Sequence, residues 1–299
     1  MRVLLTGATG FIGSAIVQDL IHAGHRVIGL ARSDAAAQVL AAAGATVQRG
    51  DLENLDSLRR GAAASEGVIH TGFIHDFSKI AANCEIDRRA IEAMGSALAG
   101  SDRPFVITSG TALLGAGRLG TEESSPDLAN PLAALRGPSE EVALAMASRG
   151  VRVSVVRLPP SVHGEGDHGF IPALIGIARE KGVSAYVGDG RNRWSTVHRL
   201  DAAHLFRLAL EKAPAGAKFH GVAEEGVAFR EIAEAIGRGL NLPVASKSPG
   251  EAADHFGFFG AFAGLDCPAS SKLTQERLDW HPVQPALIPD LNRGHYFKK

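Results

Sequence analysis

The residues Val3-Leu4-Leu5-Thr6-Gly7-Ala8-Thr9-Gly10-Phe11-Ile12-Gly13 place three glycines between an apolar run and a helical pattern carried by Ile12, Ile16, Leu20 and Ala23. A strand that turns on glycine straight into a helix constrains the fold more than any other feature of this chain. Gly7 permits the tight turn, Gly10 lets an anion approach the backbone, and Gly13 lets the helix pack against its strand. The first N–H groups of that helix then face the anion. In this context, strand before and helix after, the loop predicts a dinucleotide pyrophosphate site formed by Gly7, Thr9, Gly10, Phe11, Ile12 and Gly13.

The pattern continues in the same style. Val27–Leu30, Thr46–Gln48, Val68–His70, Phe105–Thr108 and Val151–Leu158 read as further buried strands, rich in β-branched residues. Between them lie helical segments at Ser33–Ala43, Asn54–Arg60, Ala81–Ala99 and Ser139–Ser148. Alternating strands and helices predict right-handed crossovers and a parallel sheet covered on both faces. The expected class is therefore α/β: a Rossmann-type doubly wound sheet with a smaller C-terminal lobe. Residues 1–160 and about 192–222 are assigned to the nucleotide-binding part, and about 161–191 and 223–299 to a substrate lobe. In the lobe, Ile171–Lys181 and Ala228–Leu240 read as helices and Ser184–Val187 as a short strand. Asp201–Glu211 is expected as a helix and Phe219–Val222 as a seventh strand.

Charge excludes one class of partner. Lys and Arg number 31 against 32 Asp and Glu, so the basic excess that nucleic-acid binding needs is missing. No apolar run reaches the roughly 20 residues that cross a bilayer. A strand starting at Arg2 leaves no room for a leader peptide, and Cys84 and Cys267 are too few for a disulfide framework, so a cytoplasmic location is expected. Paired histidines (His163 with His168, His70 with His75) lack a third ligand, and no metal is expected.

Where such folds select their cofactor, at the end of the second strand, stands Ala31-Arg32-Ser33. Arg32 and Ser33 suit the 2′-phosphate of NADP through charge-assisted hydrogen bonds. The alternative is a solvated Arg32 with Asp34 reading the ribose of NAD.

Together these segments resemble the extended short-chain dehydrogenase/reductases, the group that includes the NAD-dependent epimerases and dehydratases. Gly50-Asp51-Leu52 is similar to the family's adenine-side segment, which implies contacts from Asp51 and Leu52. Val68-Ile69-His70-Thr71-Gly72, followed by Phe73, resembles the strand end beside the cofactor ribose, implicating Thr71, Gly72 and Phe73. Arg157-Leu158-Pro159-Pro160-Ser161-Val162-His163-Gly164 resembles the segment past the nicotinamide, implicating Leu158, Pro159 and Ser161. Trp194–Asp201 and Leu278-Asp279-Trp280-His281-Pro282 extend the resemblance over nearly the whole chain. It implies binding of small molecules and, in many members, a homodimer through a helical face.

One departure matters for the chemistry. The family's Tyr and Lys, four positions apart, are absent: the only tyrosines are Tyr186 and Tyr296, and neither has a Lys four residues later. Counting from Arg157 and Glu140 puts Leu132 at the Tyr position and Arg136 at the Lys position; a shift of three residues puts Leu135 and Ser139 there. Thr108-Ser109-Gly110-Thr111 stands where the family's hydroxyl belongs, with Gly110 at the position itself. The candidates for chemistry are therefore Ser109 and Thr111 as hydroxyls, Arg136 as cofactor and oxyanion contact with Thr108 beside the cofactor, and His163 as proton source. Phe256–Phe262 is aromatic enough to line an apolar pocket, and Arg191 and Arg193 sit where members hold a phosphate tail. The function this implies is an NADP(H)-dependent oxidoreductase of a small carbonyl or alcohol. An epimerase or dehydratase, or a non-catalytic NADP sensor, are the alternatives on the same scaffold.

Overall fold

The computed structural model describes residues 1–298. Six strands run through the first half: β1 (Arg2–Thr6), β2 (Arg26–Ala31), β3 (Thr46–Arg49), β4 (Gly67–His70), β5 (Pro104–Gly110) and β6 (Arg152–Leu158). Then come β7 (Ser161–His163), β8 (Ser184–Val187), β9 (Arg193–His198), β10 (Ala217–His220), β11 (Glu224–Ala228) and β12 (Val244–Lys247). The larger helices are α1 (Phe11–His22), α2 (Asp34–Ala42), α3 (Leu55–Ala63), α4 (Ile80–Leu98), α5 (Pro131–Ala145), α6 (Phe170–Lys181), α7 (Arg199–Lys212) and α8 (Phe229–Leu240). Four short ones follow: α9 (Pro249–Phe256), α10 (Gly260–Ala263), α11 (Lys272–Leu278) and α12 (Leu287–Asn292).

Seven strands form one parallel sheet in the order β10-β6-β5-β4-β1-β2-β3. Side chains alternate across it. Val3 and Leu5 of β1 join Ile16, Leu20 and Phe206 beneath α1 and α7, while Leu4 joins Leu58, Ile91 and Met94 beneath α3 and α4. The chain reverses its winding between β1 and β4. The crevice outside the carboxyl ends of these two strands is the ligand position of open α/β sheets.

The helix expected at Ser139–Ser148 starts eight residues earlier, at Pro131. Asn130 caps it by accepting from Leu132 N at 2.9 Å, and Pro131 suits its first turn. Pro138 reads as a helix breaker in sequence, yet it lies inside α5. Residues 193–198, grouped above with the nucleotide-binding part, form β9. This strand leaves the main sheet to pair with β7 and β11. A third core, including Ile171, Trp194, Phe229, Phe256 and Leu291, unites α6, α8, α9 and α12 into the lobe. Among the described residues no helix is long and apolar enough to cross a membrane.

Candidate active site

At the crevice, Gly7 adopts φ +68°, and a Cβ there would lie 2.8 Å from Gly72 N, so the two glycine-bearing turns touch. A Cβ on Gly13 would fall 2.0 Å from Gly7 O, which explains why that position bears no side chain. Gly10 differs: a Cβ would meet only Gly7 O, at 3.1 Å, and the residue is exposed with Thr9. No side chain caps α1 and no acidic residue occupies its first turn, so its N–H groups stay open to an anion. This cradle fits a dinucleotide pyrophosphate. Phe11 lies beneath the Arg199 guanidinium (5.2 Å to the ring centroid) and edge-on to His168 (5.8 Å). The loop carrying His168 is tied down from the far end of the chain, where the Tyr296 hydroxyl accepts from Gly164 N and donates to Asp167 Oδ2, both at 2.9 Å.

At the adenine side, Ser33 Oγ caps α2 by accepting from Ala36 N at 3.2 Å. Asp51 Oδ1 accepts from Glu53 N and Asn54 N, ordering the turn before α3, with Leu52 half-buried beside Gly72. Asp34 is already paired with Arg49. Arg32 is exposed and makes no hydrogen bond or ion pair with another described residue.

A buried network that sequence reasoning missed joins the cofactor crevice to Arg136. Gly72 N donates to Thr6 Oγ1 at 3.1 Å, and Thr71 Oγ1 donates to Thr6 O at 2.9 Å. Thr6 Oγ1 lies 2.6 Å from His70 Nδ1, and His70 Nε2 lies 3.2 Å from Asp87 Oδ1. A carboxylate only accepts, so the Nε2 proton points to Asp87, and in the neutral ring Nδ1 accepts a hydrogen bond from the Thr6 hydroxyl. Asp87 Oδ2 accepts from Arg136 Nη1 and from Ser139 Oγ, each at 2.7 Å. Burial works against ionisation of Asp87, but the His70 hydrogen bond and the Arg136 charge outweigh it and hold the carboxyl below its ordinary range. The only sequence signals were one aspartate among several charged residues of an amphipathic helix and a histidine closing a buried strand, both common in unrelated proteins.

The Glu140–Arg157 pair fixes the position of α5. Arg157 Nη2 donates to Glu140 Oε2 at 2.6 Å and Nε to Oε1 at 3.0 Å, with Arg157 fully buried. One turn earlier, Arg136 Nη2 points to Thr108 O at 3.4 Å, while its guanidinium lies 4.2 Å over the Phe73 ring. Thr108 Oγ1 itself donates to His70 O at 2.9 Å. Neither tyrosine is near α5 in the chain: Tyr186 lies on β8, and Tyr296 in the turn after α12.

The remaining expected residues divide. Ser109 Oγ and Ser161 Oγ are buried without a hydrogen-bond partner among the described residues, one on β5 and one on β7; Leu158, ending β6, and Pro159 after it are also buried. Thr111 Oγ1 is engaged instead with Ser195 Oγ at 3.3 Å. His163 is 1% exposed; its Nδ1 meets Asp290 Oδ2 at 3.0 Å and its ring packs edge-on to His198 at 5.4 Å. That burial joins β7 to α12 and closes the ring to a substrate. A titratable ring beside Phe73 that stays exposed is His75, 5.2 Å away. Crowding by its neighbours, then the Arg136 charge, lowers its pKa. In the sequence His75 was visible only as half of a rejected metal pair.

A doubly wound parallel sheet with an open glycine turn at its winding reversal defines a Rossmann-type protein whose site fits a dinucleotide. Residues 3–222 match the NAD dependent epimerase/dehydratase family, and the chain belongs to that family. Its members are NAD(P)-dependent oxidoreductases, epimerases and dehydratases. An uncharacterized protein of Schizosaccharomyces pombe is 52% identical over 299 residues, covering 99% of this chain and 100% of its own. The 4-hydroxy-2-methyl-3-oxo-4-farnesyl-3,4-dihydroquinoline-1-oxide ketoreductase of Stigmatella aurantiaca is 31% identical, over 72% of this chain and 66% of its own. In fold, the chain is similar to the dTDP-glucose 4,6-dehydratase DesIV of Streptomyces venezuelae, solved with NAD and TYD bound. The TM-score is 0.80 at 21% identity, over 99% of this chain and 96% of that one.

Proposed function

We propose that this protein is an NADP(H)-dependent oxidoreductase acting on a small carbonyl or alcohol. The observation that carries the reading is Arg136, fixed by Asp87 at the carboxyl edge of the sheet and beside the cofactor cradle. The ketoreductase relative supports a carbonyl substrate. Preference for NADP rests on Arg32, left unpaired, while Arg49 occupies the carboxylate of Asp34 that would otherwise read a ribose.

When bound, the nicotinamide supplies or takes up the hydride. Gly7, Gly10 and the first turn of α1 hold the diphosphate, with Thr71, Gly72 and Phe73 lining the ribose side. Arg136 steadies negative charge as it develops on the substrate oxygen. It cannot supply the proton, because a guanidinium stays charged across the accessible pH range. His75 replaces His163 in that role: its imidazolium protonates the oxygen during reduction, and its neutral ring takes the proton during oxidation. Because the His75 pKa is lowered, the reductive rate falls as pH rises through a value below about 6.5, while oxidation follows the opposite limb.

The test is cofactor consumption against a panel of aldehydes and ketones. Arg136→Leu should reduce kcat by about 100-fold, with Arg136→Lys restoring part of the loss. His75→Gln should remove the fall of the reductive rate with rising pH. Absence of cofactor turnover with every carbonyl, or wild-type rates in Arg136→Leu, would overturn the reading.

A further inference from the structure

We propose that the substrate carries an aromatic or extended apolar group beside its carbonyl, received by Phe77 and Phe258. This rests on the oxidoreductase reading and names its substrate class. Aromatic rings run without a break from Arg136 outward. Phe73 lies under the guanidinium, His75 is 5.2 Å from Phe73 and 6.3 Å from Phe77, and Phe77 touches Phe258 of the lobe, ring centroids 5.0 Å apart. Phe258 sits in a short turn that Gly257 enters at φ +56°, and the residue is 55% exposed. Among the exposed large hydrophobic residues described it is the one aromatic. An isolated exposed leucine needs no explanation; an open phenylalanine continuous with a candidate active site marks a contact surface.

Its support is firm. Phe259 and Phe262 lie 5.7 and 5.8 Å behind it, and both pack on Phe170 of the lobe core, at 5.4 and 4.9 Å. The ring is thus presented on a packed aromatic base, which limits the ordering a ligand must impose.

Charge argues against the other substrate form, a nucleotide diphosphate. Such a tail needs unpaired cations, yet Arg193 grips Asp266 with two bonds of 3.0 Å, and Arg191 stands 3.6 Å from Asp189. Both guanidinium groups raised above for a phosphate tail already have carboxylate partners. A flat apolar group laid on the joined Phe77–Phe258 surface would set its carbonyl toward His75 and Arg136.

The experiment compares acetophenone, 2-butanone and UDP-glucose on the protein loaded with NADPH. Binding is read by ligand-observed saturation-transfer NMR with reduced acetophenone (1-phenylethanol), and turnover by NADPH consumption. Acetophenone should exceed 2-butanone in kcat/KM by at least tenfold. Phe258→Ala and Phe77→Ala should each cut that ratio by about tenfold and weaken 1-phenylethanol binding similarly. Val283→Ala, trimming an even more exposed apolar side chain elsewhere, should leave the ratio unchanged. Equal use of the two ketones, an unaltered ratio in both Phe variants, or displacement of 1-phenylethanol by UDP-glucose would overturn the proposal. If no ketone turns over while 1-phenylethanol binding still depends on Phe258, the oxidoreductase reading fails and the aromatic subsite stands.

Discussion

Replacing Asp87 with asparagine keeps the side chain's shape and removes its charge. The carboxylate is 2% exposed and accepts from Arg136, Ser139 and His70 at 2.7, 2.7 and 3.2 Å. With charge centres roughly 4 Å apart and an effective dielectric near 20, its attraction to Arg136 is about 4 kcal/mol. Breaking a buried pair leaves one charge uncompensated, which typically costs about 3–5 kcal/mol. The expected loss for Asp87→Asn is therefore about 3 kcal/mol of unfolding free energy. Arg136→Leu should cost less, since Asp87 retains Ser139 and His70. The double variant should lose about 2 kcal/mol less than the sum of the single losses. Urea denaturation of all four proteins measures the cycle. The sign of the pH dependence gives a second check: the folded pKa of Asp87 is depressed, so its stabilisation is present above about pH 3.9 and lost as pH falls through the folded value. Wild type and Asp87→Asn should converge in acid. Additive losses to within about 0.5 kcal/mol, or a gap that persists in acid, would refute the reasoning.

Arg32→Ala should reduce NADPH affinity by roughly tenfold to a hundredfold while leaving NADH unchanged, as read by calorimetry; equal affinities in wild type would reject the 2′-phosphate contact. Gly10→Val should abolish cofactor binding with only a small change in melting temperature, because its φ of −74° and ψ of 174° suit valine and its Cβ would meet only Gly7 O, at 3.1 Å. Gly13→Ala should instead lower the melting temperature, since its Cβ meets Gly7 O. His220 is fully buried between Ser270 O, 2.7 Å from Nδ1, and Arg157; burial first, then that guanidinium, lowers its pKa to about 4. Its stabilisation is full above about pH 6.5 and fades as pH falls toward 4, worth about 3 kcal/mol in all, so His220→Gln should flatten stability against pH across that window.

The strands and the glycine turn were legible because each is a local pattern: β1 carries its own alternation, and Gly7, Gly10 and Gly13 declare a turn without reference to distant residues. Pro138 hid the start of α5, because the rule against helical proline is strong and the Asn130 cap lies eight residues upstream of it. β9 escaped as a strand of a separate sheet because its partners, β7 and β11, are short. The site was harder to read than the fold. Arg136 was reachable through the Glu140–Arg157 count, a spacing argument within one helix and one strand. Asp87 and His70 were not, since their chemistry arises only when α4 packs beside α5. His163 misled for the opposite reason: its place in the chain suits the site, but Asp290, on a helix more than a hundred residues away, draws it into the interior.

The tie from Tyr296 to Gly164 and Asp167 has a genetic consequence. A stop codon just after Asn292 would spare every strand of the central sheet and strip Tyr296 and Phe297 from the rim of the lobe core, so the shortened protein should still fold its nucleotide-binding part. Yet it would have lost the hydroxyl that anchors the segment bearing His168 over Phe11 at the entrance of the dinucleotide cradle. Late-truncating alleles of this gene should therefore behave as hypomorphs in cofactor retention, distinguishable from core missense alleles, which lose the protein itself.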